Sequence, residues 1–150
     1  MAEQRVEQTT AVPPAAVWKK LAAFDRIAEW SAEVDHSSFM TTQEEGAGTV
    51  RRVQVGTLTL LEEVIEWEPE QTLAYELQGL PAIVSRVINS WEIVADGGGS
   101  RVSLTLDVTP GPKPPMRLAA RLLARRMAST NEKLLAGLVA AVERNEKGTA

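Results

Sequence analysis

The last quarter of the chain sets the conditions for everything before it. From about Pro114 to Glu146, Met116, Ala120, Leu123, Met127, Asn131, Leu134, Leu138 and Ala141 fall on one stripe when the residues are wound at 100° each. Arg117, Arg121, Arg125, Glu132 and Glu143 take the opposite side. That pattern predicts one long amphipathic helix, and an apolar stripe of this length needs a broad partner surface. Asn131 is the odd member, because an amide in an apolar stripe requires hydrogen-bond partners.

The middle of the chain supplies the surface as a series of hairpins. Val50 to Val55 and Leu58 to Trp67 flank Gly56-Thr57, a pair suited to a two-residue type II′ turn. Such a turn sets Val55 opposite Leu58, Val53 opposite Leu60 and Arg51 opposite Glu62. Alternation then places Val53, Val55, Leu58, Leu60 and Val64 on one face together with Arg51 and Glu62. Arg52, Gln54, Thr59, Leu61, Glu63, Ile65 and Trp67 take the other. Further on, Leu73, Tyr75 and Leu77 share a face, as do Val87, Asn89, Trp91 and Ile93, and again Val102, Leu104, Leu106 and Val108. Pro110 to Pro115 ends the sheet and starts the helix. A strand is also expected from Val34 to Thr42, with its inward face, and so the side taken by His36, left open.

Ahead of these lie a first strand over residues 4–11, a break at Val12-Pro13-Pro14 and two short helices. The first begins next to a proline, which has no N–H to lose there; the second spans Asp25 to Trp30, with Asp25 as candidate N-cap. Val17, Leu21, Phe24, Ile27 and Trp30 give the pair a shared apolar face, and Trp18 packs the first helix on the fold. The expectation is therefore an α+β chain, one domain over residues 1–150, with a curved antiparallel sheet wrapped around the C-terminal helix.

Composition narrows the chemistry. A net charge of −4 with no dominating basic patch argues against nucleic-acid binding. There is no cysteine, which removes disulfides, thiolate metal sites and cysteine nucleophiles. A single histidine, His36, leaves little material for a two-histidine metal site or a serine triad; no metal or cofactor is expected. No apolar run approaches the ~18 residues of a membrane span, and the polar start is unlike a signal peptide, so a cytoplasmic location without stable membrane insertion is expected. The chain is expected as a monomer or homodimer.

Taken together, several segments resemble the START-like, Bet v 1-like helix-grip superfamily, and in particular its bacterial polyketide cyclase/dehydrase-like branch. The segments are Val12 to Trp18 into Phe24-Asp25 and Trp30, Gly46 to Arg51, Glu63 to Pro69, Leu73-Ala74-Tyr75, Asn89-Ser90-Trp91, Gly98 to Val102 and the terminal helix. The resemblance implies a helix-grip fold and a hydrophobic cavity between sheet and helix for sterols, polyketides, lipids or hormones. It implies no universal catalytic residue, so it points to a pocket more firmly than to a reaction.

The candidate ligand-binding residues follow from the predicted inward faces. Arg51 and Glu62 are read either as a polar anchor for an apolar ligand or as a structural ion pair. Asn131, Asn89 and Tyr75 offer further hydrogen bonds, with a strand residue such as Asn89 as one partner for Asn131. Trp30, Val53, Leu60, Val64, Leu77, Trp91, Leu104, Leu106, Leu123, Met127 and Leu134 would line a pocket or fill a core. Arg117, Arg121 and Arg125 read as a solvated face, and Leu118 and Leu122 lie outside the stripe. The function expected is binding of an apolar small molecule; the alternative is a cyclase or dehydratase in which Arg51 polarises a carbonyl while Glu62 or Tyr75 moves a proton.

Overall fold

The computed structural model describes residues 2–148, with side chains over 3–146. Strand β1 (Ala2–Thr10) leads into helix α1 (Pro14–Ala22) and a 3₁₀ helix (Phe24–Glu29). Six strands follow: β2 (His36–Phe39), β3 (Val50–Val55), β4 (Leu58–Glu68), β5 (Thr72–Gln78), β6 (Val84–Asp96) and β7 (Gly99–Pro110). Helix α2 (Pro115–Gly148) ends the described chain; at ~1.5 Å per residue its 34 residues run roughly 50 Å. The strands form one antiparallel sheet in the order β1-β7-β6-β5-β4-β3-β2.

The β3–β4 hairpin has the register its turn demands, with Val55 opposite Leu58, Val53 opposite Leu60 and Arg51 opposite Glu62. Gly56 sits at φ 59°, the positive angle a type II′ turn needs at its first central position. The alternation then carries Val53, Leu60, Glu62 and Val64 to the buried face, while Leu58, at the hairpin tip, stays 41% exposed.

Three local expectations are corrected. Strand β4 bulges between Val64 and Glu66, so that Trp67 pairs with Leu73 and turns to the inner face, not the outer one. One extra residue reverses every side chain after it, and Trp67 now meets Trp18 edge-on at 5.1 Å between ring centroids. Strand β2 is four residues long rather than spanning 34–42, and exposed His36 starts it. Asp25 does not cap the 3₁₀ helix, whose N-cap position is Ala23. Instead Ser37 Oγ donates to the Asp25 carbonyl (2.6 Å) and accepts from the Ala28 N–H (3.2 Å), tying this helix to β2.

Helix α2 lies along the concave face and packs on β1 and β7. Its buried stripe is wider than the period alone suggests, adding Ala124, Leu135, Val139 and Val142 to Ala120, Asn131, Leu134, Leu138 and Ala141. Gly137 permits the close approach, since a Cβ there would lie 2.5 Å from the Trp30 carbonyl oxygen. Leu118 and Leu122 remain exposed near the start of the helix.

Candidate ligand cavity

The layer between sheet and helix is not filled evenly. Over β7 and the Trp91 segment of β6, Trp91, Leu104, Leu106, Leu135 and Leu138 close the space completely. Over β3, β4 and β5 the side chains are shorter than the gap. Val53, Leu60 and Leu77 from the strands face Leu123, Met127 and Leu134 from α2 across a cavity of about 160 Å³. Its wall is mainly apolar, with Glu33, Glu62, Tyr75, Asn89, Thr130 and Asn131 as polar members.

Behind this wall sits a buried ion pair. Arg51 Nε and Nη2 both reach Glu62 Oε1 at 2.7 Å. Nη1 donates to the Phe24 carbonyl at 2.9 Å. The guanidinium carbon also lies 3.8 Å from the centroid of the Phe24 ring and 4.7 Å from that of Tyr75. With Nε and Nη1 hydrogen-bonded, Nη2 paired with Glu62 and two rings against its plane, Arg51 can stay buried at 2% exposure.

A second polar chain crosses from helix to sheet. Asn131 Nδ2 donates to Asn89 Oδ1 at 2.8 Å, and Trp91 Nε1 donates to the Tyr75 hydroxyl at 3.2 Å. Burial, reinforced by the Glu62 carboxylate, pushes the Tyr75 hydroxyl above its ordinary pKa of 10.0. Arg51 and the hydrogen bonding from Trp91 and Asn89 pull the other way without cancelling it.

The residues expected at a binding site thus divide in two. Val53, Leu60, Glu62, Tyr75, Leu77, Asn89, Leu123, Met127, Asn131 and Leu134 line the cavity together. Arg51, Trp30, Val64, Trp91, Leu104 and Leu106 do not line it; the first braces Glu62 and the others fill the core. Trp30 meets Trp91 edge-on at 6.0 Å, and its Nε1 is buried without a partner. The wall also includes Ile27, Glu33, Val34, Val55, Leu58, Leu80 and Thr130. Val55 and Leu58 carried a signal, since the turn puts them on the inner face of the hairpin; Glu33, Leu80 and Thr130 come from turns and a helix flank with no pattern to mark them.

A larger hollow of about 670 Å³ runs outside the fold between α1 and the end of α2. It is an open groove edged by Lys19, Lys20, Arg26 and Arg144 together with Glu29 and Glu146. Mixed charges facing solvent give it little power to hold a ligand. Among the described residues, no three His, Asp or Glu side chains lie together as metal ligands do, and no helix is long and apolar enough to cross a membrane.

Comparison with solved structures bears on the same architecture. A Thermobifida fusca protein solved by NMR has 23% sequence identity and a TM-score of 0.79, over 96% of this chain and 95% of that one. The Zhui aromatase/cyclase from Streptomyces sp. R1128 has 20% identity and a TM-score of 0.76, over 95% of each chain. Ara h 8.0201 has 16% identity and a TM-score of 0.75, over 95% of this chain and 98% of its own. At these identities the likeness establishes the helix-grip fold. No curated protein matches the sequence significantly. Residues 1–143, however, match as one unit the family described as "Polyketide cyclase / dehydrase and lipid transport", and the chain belongs to that family.

Proposed function

We infer that the protein binds an apolar small molecule in the cavity between β3–β5 and α2. The observation that carries this reading is the uneven filling of one continuous layer. The same helix closes tightly over β7 and leaves about 160 Å³ open over the neighbouring strands. An empty apolar space lowers stability through lost contacts, and an engineered cavity of roughly this size, ~150 Å³, accepts benzene. The ligand body is therefore about one ring across, or the ring-sized end of a longer molecule that leaves through the mouth near Leu58. Apolar contact supplies most of its affinity, at ~25 cal/mol per Å² buried before the costs of binding.

The reading is tested by mapping amide shifts in ¹⁵N-labelled protein titrated with toluene. Saturable shifts should cluster at Leu60, Leu77, Leu123 and Asn131. Their absence at the solubility limit of toluene would remove the proposal.

A second reading, cyclisation or dehydration of a polyketide chain, draws on the family description and on Glu62 and Tyr75, two groups on the wall able to exchange a proton. The geometry supports it less well. A folded poly-β-ketone chain exceeds a ring-sized space, and Arg51 faces Glu62 and Phe24 rather than a carbonyl in the cavity.

A further inference from the structure

We propose that the cavity selects an uncharged ligand carrying a hydroxyl, oriented by Glu62 Oε2 as hydrogen-bond acceptor; this deepens the binding reading above and rests on it. The hydrogen bond from Arg51 Nε and the ion-pair contact of its Nη2 both fall on the same Glu62 oxygen, Oε1. Glu62 nevertheless lines the cavity, and its other oxygen is what it has to offer there. A carboxylate only accepts, so the matching group on the ligand must donate.

Charge narrows the class further. The wall contains two carboxylates, Glu33 and Glu62, and no lysine or arginine. An anionic ligand would meet repulsion and find no cation, because the nearby guanidinium is held by Glu62, the Phe24 carbonyl and two ring faces. A cationic ligand fares little better. Arg51 already balances Glu62, and Lys133 pairs with Glu33 at 3.9 Å, so a buried ammonium would bring an uncompensated charge into an apolar space. A neutral O–H meets neither penalty and forms a charge-assisted hydrogen bond with the carboxylate. Asn131 can complete the recognition: its amide nitrogen gives one hydrogen to Asn89 Oδ1 and has a second for the ligand oxygen.

The test is calorimetric titration of the intact chain at neutral pH with four probes of similar size: p-cresol, toluene, benzoate and benzylammonium. The expected result is that p-cresol binds about tenfold or more tightly than toluene, the usual scale of a hydrogen bond to a charged group, and that benzoate and benzylammonium bind more weakly than toluene. Equal binding of p-cresol and toluene overturns the hydroxyl selection while leaving the apolar cavity in place. Tightest binding of benzoate or benzylammonium overturns it as well, and binding of none removes both proposals. A variant carrying Arg51→Met and Glu62→Met together avoids a lone buried charge; in it the ratio of p-cresol to toluene affinity should fall to about one, whatever its toluene affinity. Retained preference in that variant would assign the acceptor elsewhere.

Discussion

Helix α2 covers two stretches of the same concave sheet, and it treats them differently. Over β1 and β7 its Leu135, Leu138, Val139 and Val142 interlock with Val102, Leu104, Leu106 and Val108, all buried. Over β3, β4 and β5 its Leu123, Met127 and Leu134 stop short of Val53, Leu60 and Leu77. The residue types are the same on both sides, so hydrophobicity does not separate core from cavity. What separates them is how close the helix lies to the strands. On the filled side α2 packs directly on β1 and β7, and Gly137 lets its backbone meet the end of the 3₁₀ helix at Trp30, whereas the buried Asn131–Asn89 bond spans from helix to strand through two side chains where the hollow begins.

The largest test of this contrast pairs two leucine truncations on one helix. Leu138 is fully buried, and Leu138→Ala should cost about 2–5 kcal/mol, since it removes packed atoms and leaves a new void. Leu123 is half-buried on the wall of a space that already exists, so Leu123→Ala loses fewer contacts and should cost no more than about 1 kcal/mol. Urea unfolding of both variants, with the slopes compared to the parent, measures the difference. Equal costs would mean that the two stretches are packed alike.

The boundary between the stretches can be examined through Tyr75, the chain's one tyrosine. It lines the cavity, yet it is 1% exposed and bonded to Trp91 of the filled side. Its pKa is raised in the folded protein, first by burial. The folded state therefore holds the phenolic proton more tightly than the unfolded chain does. That contribution to stability is complete below pH 10.0 and is lost as the pH rises from 10.0 through the folded value. Tyrosinate absorbance should accordingly stay low past pH 10 and appear together with the loss of the fold. Titration near pH 10 with the fold intact would show that water reaches Tyr75 through the cavity, moving the boundary into what is here the filled side.

Much of this arrangement could be read from residue order. Gly56-Thr57 determines the register that brings Arg51 to Glu62, and the helical period is enough to set Asn131 among apolar neighbours and send it towards a strand amide. The missed features come from longer range. The bulge at Ile65 has no glycine or proline beside it, so nothing local warns that Trp67 changes face. Leu60 and Leu104 are equivalent as letters on an alternating strand, and which one faces a void depends on the curvature of seven paired strands and the tilt of α2. Arg51 was legible as a buried charge but not as one turned away from the cavity, because the Phe24 carbonyl that receives its Nη1 lies 27 positions away.

The smallest expected change is the most informative about whether the space is real. In the filled stretch, a larger side chain such as Leu104→Phe would have to displace its neighbours, and overpacking of this kind costs ~1–3 kcal/mol. Leu60 stands on the cavity wall at 7% exposure, so Leu60→Phe has room for its ring. It should alter stability by less than about 1 kcal/mol in either direction, because new contacts across the void offset the adjustment of the wall. The same ring would occupy the volume assigned to ligand, so toluene binding should fall sharply while the unfolding midpoint barely moves. A loss of stability as large as that of Leu104→Phe would mean that the strands and helix meet there after all. Unchanged toluene binding in a stable Leu60→Phe variant would instead place the ligand away from the β3–β5 side of the helix.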